Sequence, residues 1–218
     1  MPHRALIKHR PWLLLSLLAG VTYFFAADEP IGGLWLMLWK GAGVGFLAIY
    51  AWLRTKGRDG LLIALVMALC ATADMVLELD LLIGGAIFGL AHVVAIGLYL
   101  RNPREKVAPS QILAGAALLF LTPAIAGSIV FPLPNWAAAT VYSALVGAMA
   151  AAAWTSRFPR YRVGVGAVMF VMSDLLIFSR EAEVVPALVA AWLIWPLYYF
   201  GQFLIAVGVV QTLRKGKA

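Results

Sequence analysis

Charge, cysteine and histidine are all scarce in this chain, and each scarcity removes a class of function. Only 12% of its 218 residues are Asp, Glu, Lys or Arg, about half of the roughly 25% usual in soluble domains. The single cysteine, Cys70, lies within an apolar run. It can form no intrachain disulfide, and no spacing of Cys and His resembles a zinc motif. Of the histidines, His3 and His9 sit at the N-terminus, which leaves His92 alone in the interior of the chain. A catalytic zinc site usually takes three protein ligands with histidine prominent, so neither a metal nor another cofactor is expected. Gly41, Gly43 and Gly45, like Gly164 and Gly166, look like fragments of phosphate loops. No strand precedes them, and they fit better as close-packing positions between membrane helices.

What the chain has in abundance is apolar surface: 63% of it is hydrophobic, with a mean hydropathy of +0.92. About 20 apolar residues cross a bilayer core as a helix. On that criterion there are about eight segments, at 11–27, 33–53, 60–80, 83–100, 110–131, 136–155, 161–179 and 187–212. The expected fold is therefore all-α, a polytopic membrane bundle of about eight transmembrane helices forming a single domain over 1–218, with short loops and antiparallel neighbours. The first segment follows Arg4, Lys8 and Arg10 and ends at Ala26 and Ala27, a layout shared with cleaved signal peptides; its long apolar run favours a retained helix. Pro123 and Pro196 fall inside segments and are expected to kink or open them, which a bundle tolerates when neighbours satisfy the freed carbonyls.

The net charge of +7 would suggest nucleic acid in a soluble domain, but here the basic residues sit between apolar runs, and no nucleic-acid partner is expected. Arg4, Lys8 and Arg10 precede the first segment; Arg54, Lys56 and Arg58 follow the second; Arg101, Arg104 and Lys106 follow the fourth; Arg157, Arg160 and Arg162 follow the sixth; Arg214, Lys215 and Lys217 close the chain. With eight spans all of these fall on one side. The opposite loops carry Asp28 and Glu29, Asp80, the neutral FPLPN stretch, and Arg180 with Glu181 and Glu183. Basic loops stay cytoplasmic, so both termini are expected in the cytoplasm and the protein in a bacterial inner membrane.

Against this apolar background a few polar groups stand out. Lys40, Asp74, Glu78, His92, Asp174 and Gln202 each interrupt an apolar run. A charged group in hydrocarbon costs at least about 2.5 kcal/mol on translocon scales, and by default marks a functional site. Counting about 1.5 Å per residue places Lys40, Asp74, His92, Asp174, Tyr198 and Tyr199 at overlapping depths in the half of the membrane opposite the basic clusters. Asp74 and Glu78, at i and i+4, share a helix face; like charges there would repel, so one of them is expected to be protonated or neutralised by Lys40. Carboxyl groups in such settings can serve as general acids. Plainer readings stand beside these: Lys40 as an assembly ion pair, His92 as a hydrogen-bonded bundle residue, Glu78 as a hydrated interfacial carboxylate, and Ser173 bonded back to its own helix.

The motifs themselves resemble a family. GAVMFVMSDLL in the seventh segment and YYFGQFLIAVG in the eighth, with Asp74, Gly85, Phe88 and His92 between the third and fourth and Lys40 in the second, are similar to the patterns of the YhhN-like integral membrane lysoplasmalogenases. The likeness covers the whole eight-segment layout. It departs where Gly41, Ala73 and Ala95 replace the proline, glycine and tyrosine of the family pattern. The resemblance implies hydrolysis of the vinyl ether bond of a lysoplasmalogen, a lysophospholipid met in the membrane lipid itself, giving a fatty aldehyde and glycerophosphoethanolamine or glycerophosphocholine. Asp74 and Asp174 would be the catalytic carboxyl groups. Lys40 would orient a carboxylate or meet the lipid phosphate, and Glu78, His92, Ser173, Tyr198, Tyr199 and Gln202 would support the site or the substrate.

Two rival classes fit the same composition: a small proton-coupled transporter, since buried Asp, Glu and His also build proton relays, and a lipid-binding bundle without turnover. No inverted repeat with matched broken helices supports the first. The charge pattern itself predicts a topology. An alkaline phosphatase fused after Ala218, active only when exported, is expected to give no signal; a strong signal would refute the cytoplasmic C-terminus.

Overall fold

The computed structural model describes residues 10–27, 29 and 32–215. The expectations attached to His3, Arg4, Lys8, His9, Asp28 and Lys217 lie outside these. Eight helices follow one another: α1 (Arg10–Ala26), α2 (Gly33–Arg54), α3 (Arg58–Val76), α4 (Leu81–Leu100), α5 (Pro109–Val130), α6 (Trp136–Thr155), α7 (Val165–Glu181) and α8 (Ala187–Lys215), with a π-helical turn at Arg160–Gly164 leading into α7. The expected all-α architecture is what is found. Seven helices, counting the π turn with α7, are long and apolar enough to cross a membrane, and α1 is shorter; its 17 residues rise only about 25 Å.

Local chemistry sets the helix ends. Gly32, Gly33 and Gly57 carry φ values of 49°, 66° and 84°, a left-handed region open to glycine at little cost, and they precede or open α2 and α3. Pro109 begins α5, where its missing N–H would be unpaired in any case. Pro123 and Pro196 lie within α5 and α8 without ending either helix. The third helix is shorter than the apolar run suggests. After Val76 the backbone tightens, Glu78 N–H donating to the Met75 carbonyl and Leu79 N–H to that of Val76, so residues 77–79 form turns instead of extending α3 to Asp80.

The described chain forms two compact units, one comprising residues up to Val94 together with the stretch from Val209, the other Ala95–Gly208. In the first, Ser16 Oγ on α1 donates to the Gly43 carbonyl of α2 at 2.6 Å, and Trp39 Nε1 donates to Thr22 Oγ1 at 3.0 Å. Helix α2 meets α3 at Gly41, where a Cβ would lie 2.6 Å from Met75 Cγ and 3.1 Å from the Ala71 carbonyl oxygen. In the second unit α5 and α6 meet at Gly147, and α7 and α8 at Gly166 and Gly201. A Cβ on Gly166 would lie 2.6 Å from the Gly201 carbonyl oxygen, and one on Gly201 would lie 2.7 Å from that of Gly166. Small residues let helix backbones approach in this way where lipid offers no hydrophobic drive to association.

Because backbone carbonyls cannot move aside, Gly166→Leu should destabilise the folded protein by overpacking, by about 1–3 kcal/mol or more, seen as a lower denaturation midpoint in detergent. Gly97→Ala, whose Cβ would meet nothing within 4 Å, should leave the midpoint unchanged or raise it slightly, since alanine favours a helix interior. Equal midpoints for the two variants would contradict the close crossing of α7 and α8.

Candidate functional site

In the first unit the polar residues are arranged around α3. Asp74 is buried, 2% exposed, one residue before the Met75 that packs on Gly41 of α2. That crossing brings Lys40, the neighbour of Gly41, within reach of the end of α3, and Lys40 Nζ donates to Glu78 Oε1. The side chains of this pair are 16% and 40% exposed. The i, i+4 relation between Asp74 and Glu78 is therefore not realised on one helix. Since α3 ends at Val76, Glu78 sits in the following turn, and its ion pair with Lys40 is the neutralisation expected for one of the two carboxylates. On α4, His92 is buried and stacks on Phe88 four residues earlier, ring centroids 6.4 Å apart and planes inclined at 17°.

In the second unit the centre is Asp174 on α7. It is buried, 8% exposed, and its Oδ2 accepts a hydrogen bond of 2.9 Å from the Tyr142 hydroxyl of α6. Tyr142 is held in turn by an edge contact with Phe178, ring centroids 6.2 Å apart. Ser173, also buried, does not bond back to its own helix as expected. Its Oγ donates across to the Ile194 carbonyl of α8 at 2.9 Å, two residues before Pro196. Beyond Pro196, Tyr198, Tyr199 and Gln202 are all buried. Tyr198 meets Phe170 of α7 edge-on at 5.3 Å, and Tyr199 stacks on Trp195 at 5.9 Å.

Each unit thus holds one buried aspartate on a helix fixed by a glycine crossing. A carboxyl group withheld from water and oriented by a hydroxyl can keep or deliver a proton where bulk solvent cannot compete. Among the described residues no three His, Cys, Asp or Glu side chains converge as metal ligands would. Tyr142 is the residue that sequence reading missed. Its signal is a lone tyrosine in mid-span whose hydroxyl needs a partner when buried.

Comparison with known proteins gives one result. The model of the YhhN family matches residues 35–209, from the start of α2 to the last turns of α8. No curated protein and no solved structure matches the chain significantly.

The half-exposed Lys40–Glu78 pair should add little stability, about 0.5 kcal/mol, in a double-mutant cycle of Lys40→Met and Glu78→Gln. Ser173→Ala, which removes a hydrogen bond from α7 to α8, should cost about 1 kcal/mol. A coupling well above 2 kcal/mol for the ion pair would contradict its exposed placement.

Proposed function

From the premise that the chain belongs to the YhhN family and is an integral membrane protein built of apolar helices, we propose that it is a lysoplasmalogenase, hydrolysing the vinyl ether of a lysophospholipid. The observation that carries the proposal is the burial of Asp74 and Asp174, the latter on the Tyr142 hydroxyl. These are the two aspartates that the reaction would use.

A vinyl ether, R–CH=CH–O–R′, needs no strong nucleophile. A carboxylic acid transfers its proton to the carbon β to the oxygen, and the electron pair of the double bond forms the new C–H bond. The resulting oxocarbenium ion, R–CH2–CH=O⁺–R′, is stabilised by a carboxylate. Water, losing a proton to that carboxylate, adds to the cationic carbon and gives a hemiacetal. The hemiacetal collapses to the aldehyde R–CH2–CHO, and the glycerol oxygen leaves with a proton as the free alcohol. One acid and one base therefore complete the reaction, as in glycoside hydrolysis through a related cation. Asp74 and Asp174 fill these two roles. Tyr142 orients the Asp174 carboxyl group, while Lys40, held by an exchangeable and partly exposed partner, is placed to meet a lipid phosphate. His92, Ser173, Tyr198, Tyr199 and Gln202 support the helices that carry them, and Glu78 shares Lys40 with the substrate. The proposed orientation keeps both termini in the cytoplasm of a bacterial inner membrane.

Purified protein in mixed micelles with a lysoplasmalogen should release fatty aldehyde. Asp74→Asn and Asp174→Asn should each abolish release while remaining folded, because the amide keeps shape but has no proton to exchange, and the loss should fall on kcat more than on KM. Tyr142→Phe should lower activity about 10- to 100-fold, since a hydrogen bond to a charged group is worth about 1.5–3 kcal/mol. Near-native kcat in both asparagine variants would refute the carboxyl mechanism.

A further inference from the structure

The second unit carries a groove that the proposed reaction does not use. It lies between α5, α6 and α7, encloses about 330 Å³, and is lined by Ala114, Ala117, Leu118, Leu121 and Ile125 of α5 against Val171 of α7, with Trp154 of α6 at one end. Its volume is within the ~300–1,000 Å³ range of small-molecule sites. The α5 residues recur at helical spacing, so the lining runs along one face for roughly 16 Å from Ala114 to Ile125.

Two features mark the end at Trp154. One turn before Ala114 on the same face is Gln111, whose amide, oriented by its hydrogen bonds, accepts from Arg160 Nη1 at 2.8 Å and Nη2 at 3.1 Å. Arg160 opens the π turn, the kind of helix irregularity that often accompanies function. It is one of three guanidinium groups held here by neutral oxygens: Arg104 Nη2 donates to the Phe158 carbonyl at 3.0 Å, and Arg157 Nε to Asn102 Oδ1 at 2.7 Å. Among the described residues no carboxylate pairs with any of the three. The second feature is Trp154 itself, whose six-membered ring packs on Gly164, where a Cβ would lie 2.8 Å from Cε3; Gly164 closes the π turn that Arg160 opens.

A fixed positive charge at one end of an apolar groove is the complement of an anionic lipid. We propose that the α5–α6–α7 groove binds one anionic phospholipid of the surrounding bilayer. The phosphate rests on Arg160, and one fatty chain lies along Ala114 to Ile125. Basic pockets beside membrane helices select anionic headgroups by the same charge matching. The occupant differs from the proposed substrate in its net charge and its diacyl form, and the inference does not depend on the hydrolase reading.

The test is native mass spectrometry of the full chain in detergent, titrated with phosphatidylglycerol or phosphatidylcholine of the same chains. The expected result is one phosphatidylglycerol retained about tenfold more tightly than phosphatidylcholine. Arg160→Gln should remove that preference, Ala117→Phe should lower retention of phosphatidylglycerol at least as far by filling the groove, and the exposed Lys106→Gln should change neither. Equal retention of the two lipids by the native chain would overturn the proposal. So would an unaltered preference in Arg160→Gln, a loss in Lys106→Gln as large as in Arg160→Gln, or displacement of phosphatidylglycerol by inorganic phosphate at comparable concentration. If Ala117→Phe fails to fold, the headgroup comparison in native and Arg160→Gln protein still decides the matter.

Discussion

Keeping a carboxyl group inside an apolar helical bundle is the constraint from which most of this structure follows. Without water the group needs a fixed donor or a shared proton, since its charge has nowhere else to be solvated. For Asp174 the donor is the Tyr142 hydroxyl at 2.9 Å, and that bond requires α6 and α7 to be held in register. The register is maintained by packing that leaves no slack: Phe178 on the edge of Tyr142, Ser173 bonded to the α8 carbonyl of Ile194, and the reciprocal approach of Gly166 and Gly201. Glycine and serine here serve the acid at one remove, by fixing the helices that present it.

The first unit solves the same problem with different parts. Asp74 is more deeply buried than Asp174, and the nearby α2–α3 crossing at Gly41 is closed by the Met75 side chain, where the second unit sets backbone against backbone. The charge of Lys40, which sequence reading offers to one of Asp74 and Glu78, goes to Glu78. An ion pair that is partly wet is cheap to open, whereas a buried one would not release its lysine without a large cost. A lysine so placed can exchange one anionic partner for another, which is the property a phosphate-binding residue requires.

The architecture was legible in the sequence because membrane helices obey a simple rule of length and hydropathy, and the helices begin within a few residues of the expected positions. The errors lie where local backbone chemistry competes with hydropathy. Leu77 and Leu79 carry the apolar run on toward Asp80, yet the chain turns after Val76, and Glu78 falls outside the helix that holds Asp74. The π turn at Arg160–Gly164 is likewise invisible to a hydropathy window. Among site residues, the interruption of apolar runs by charge identified Asp74, Asp174 and Lys40. It could not identify Tyr142, whose ring is at home in a membrane span and whose hydroxyl matters only through a partner on another helix. Ser173 failed for a related reason, since a short hydroxyl can reach its own helix or the next.

The central claim is that hydrolysis begins with proton transfer from a carboxylic acid to carbon. It is tested most directly by running the reaction in heavy water and trapping the aldehyde by reduction as it forms. The account predicts one deuterium on the carbon next to the carbonyl carbon in every product molecule, and no product from the Asp174→Asn protein. Aldehyde formed without deuterium at that carbon, or no aldehyde from the native protein, would contradict it.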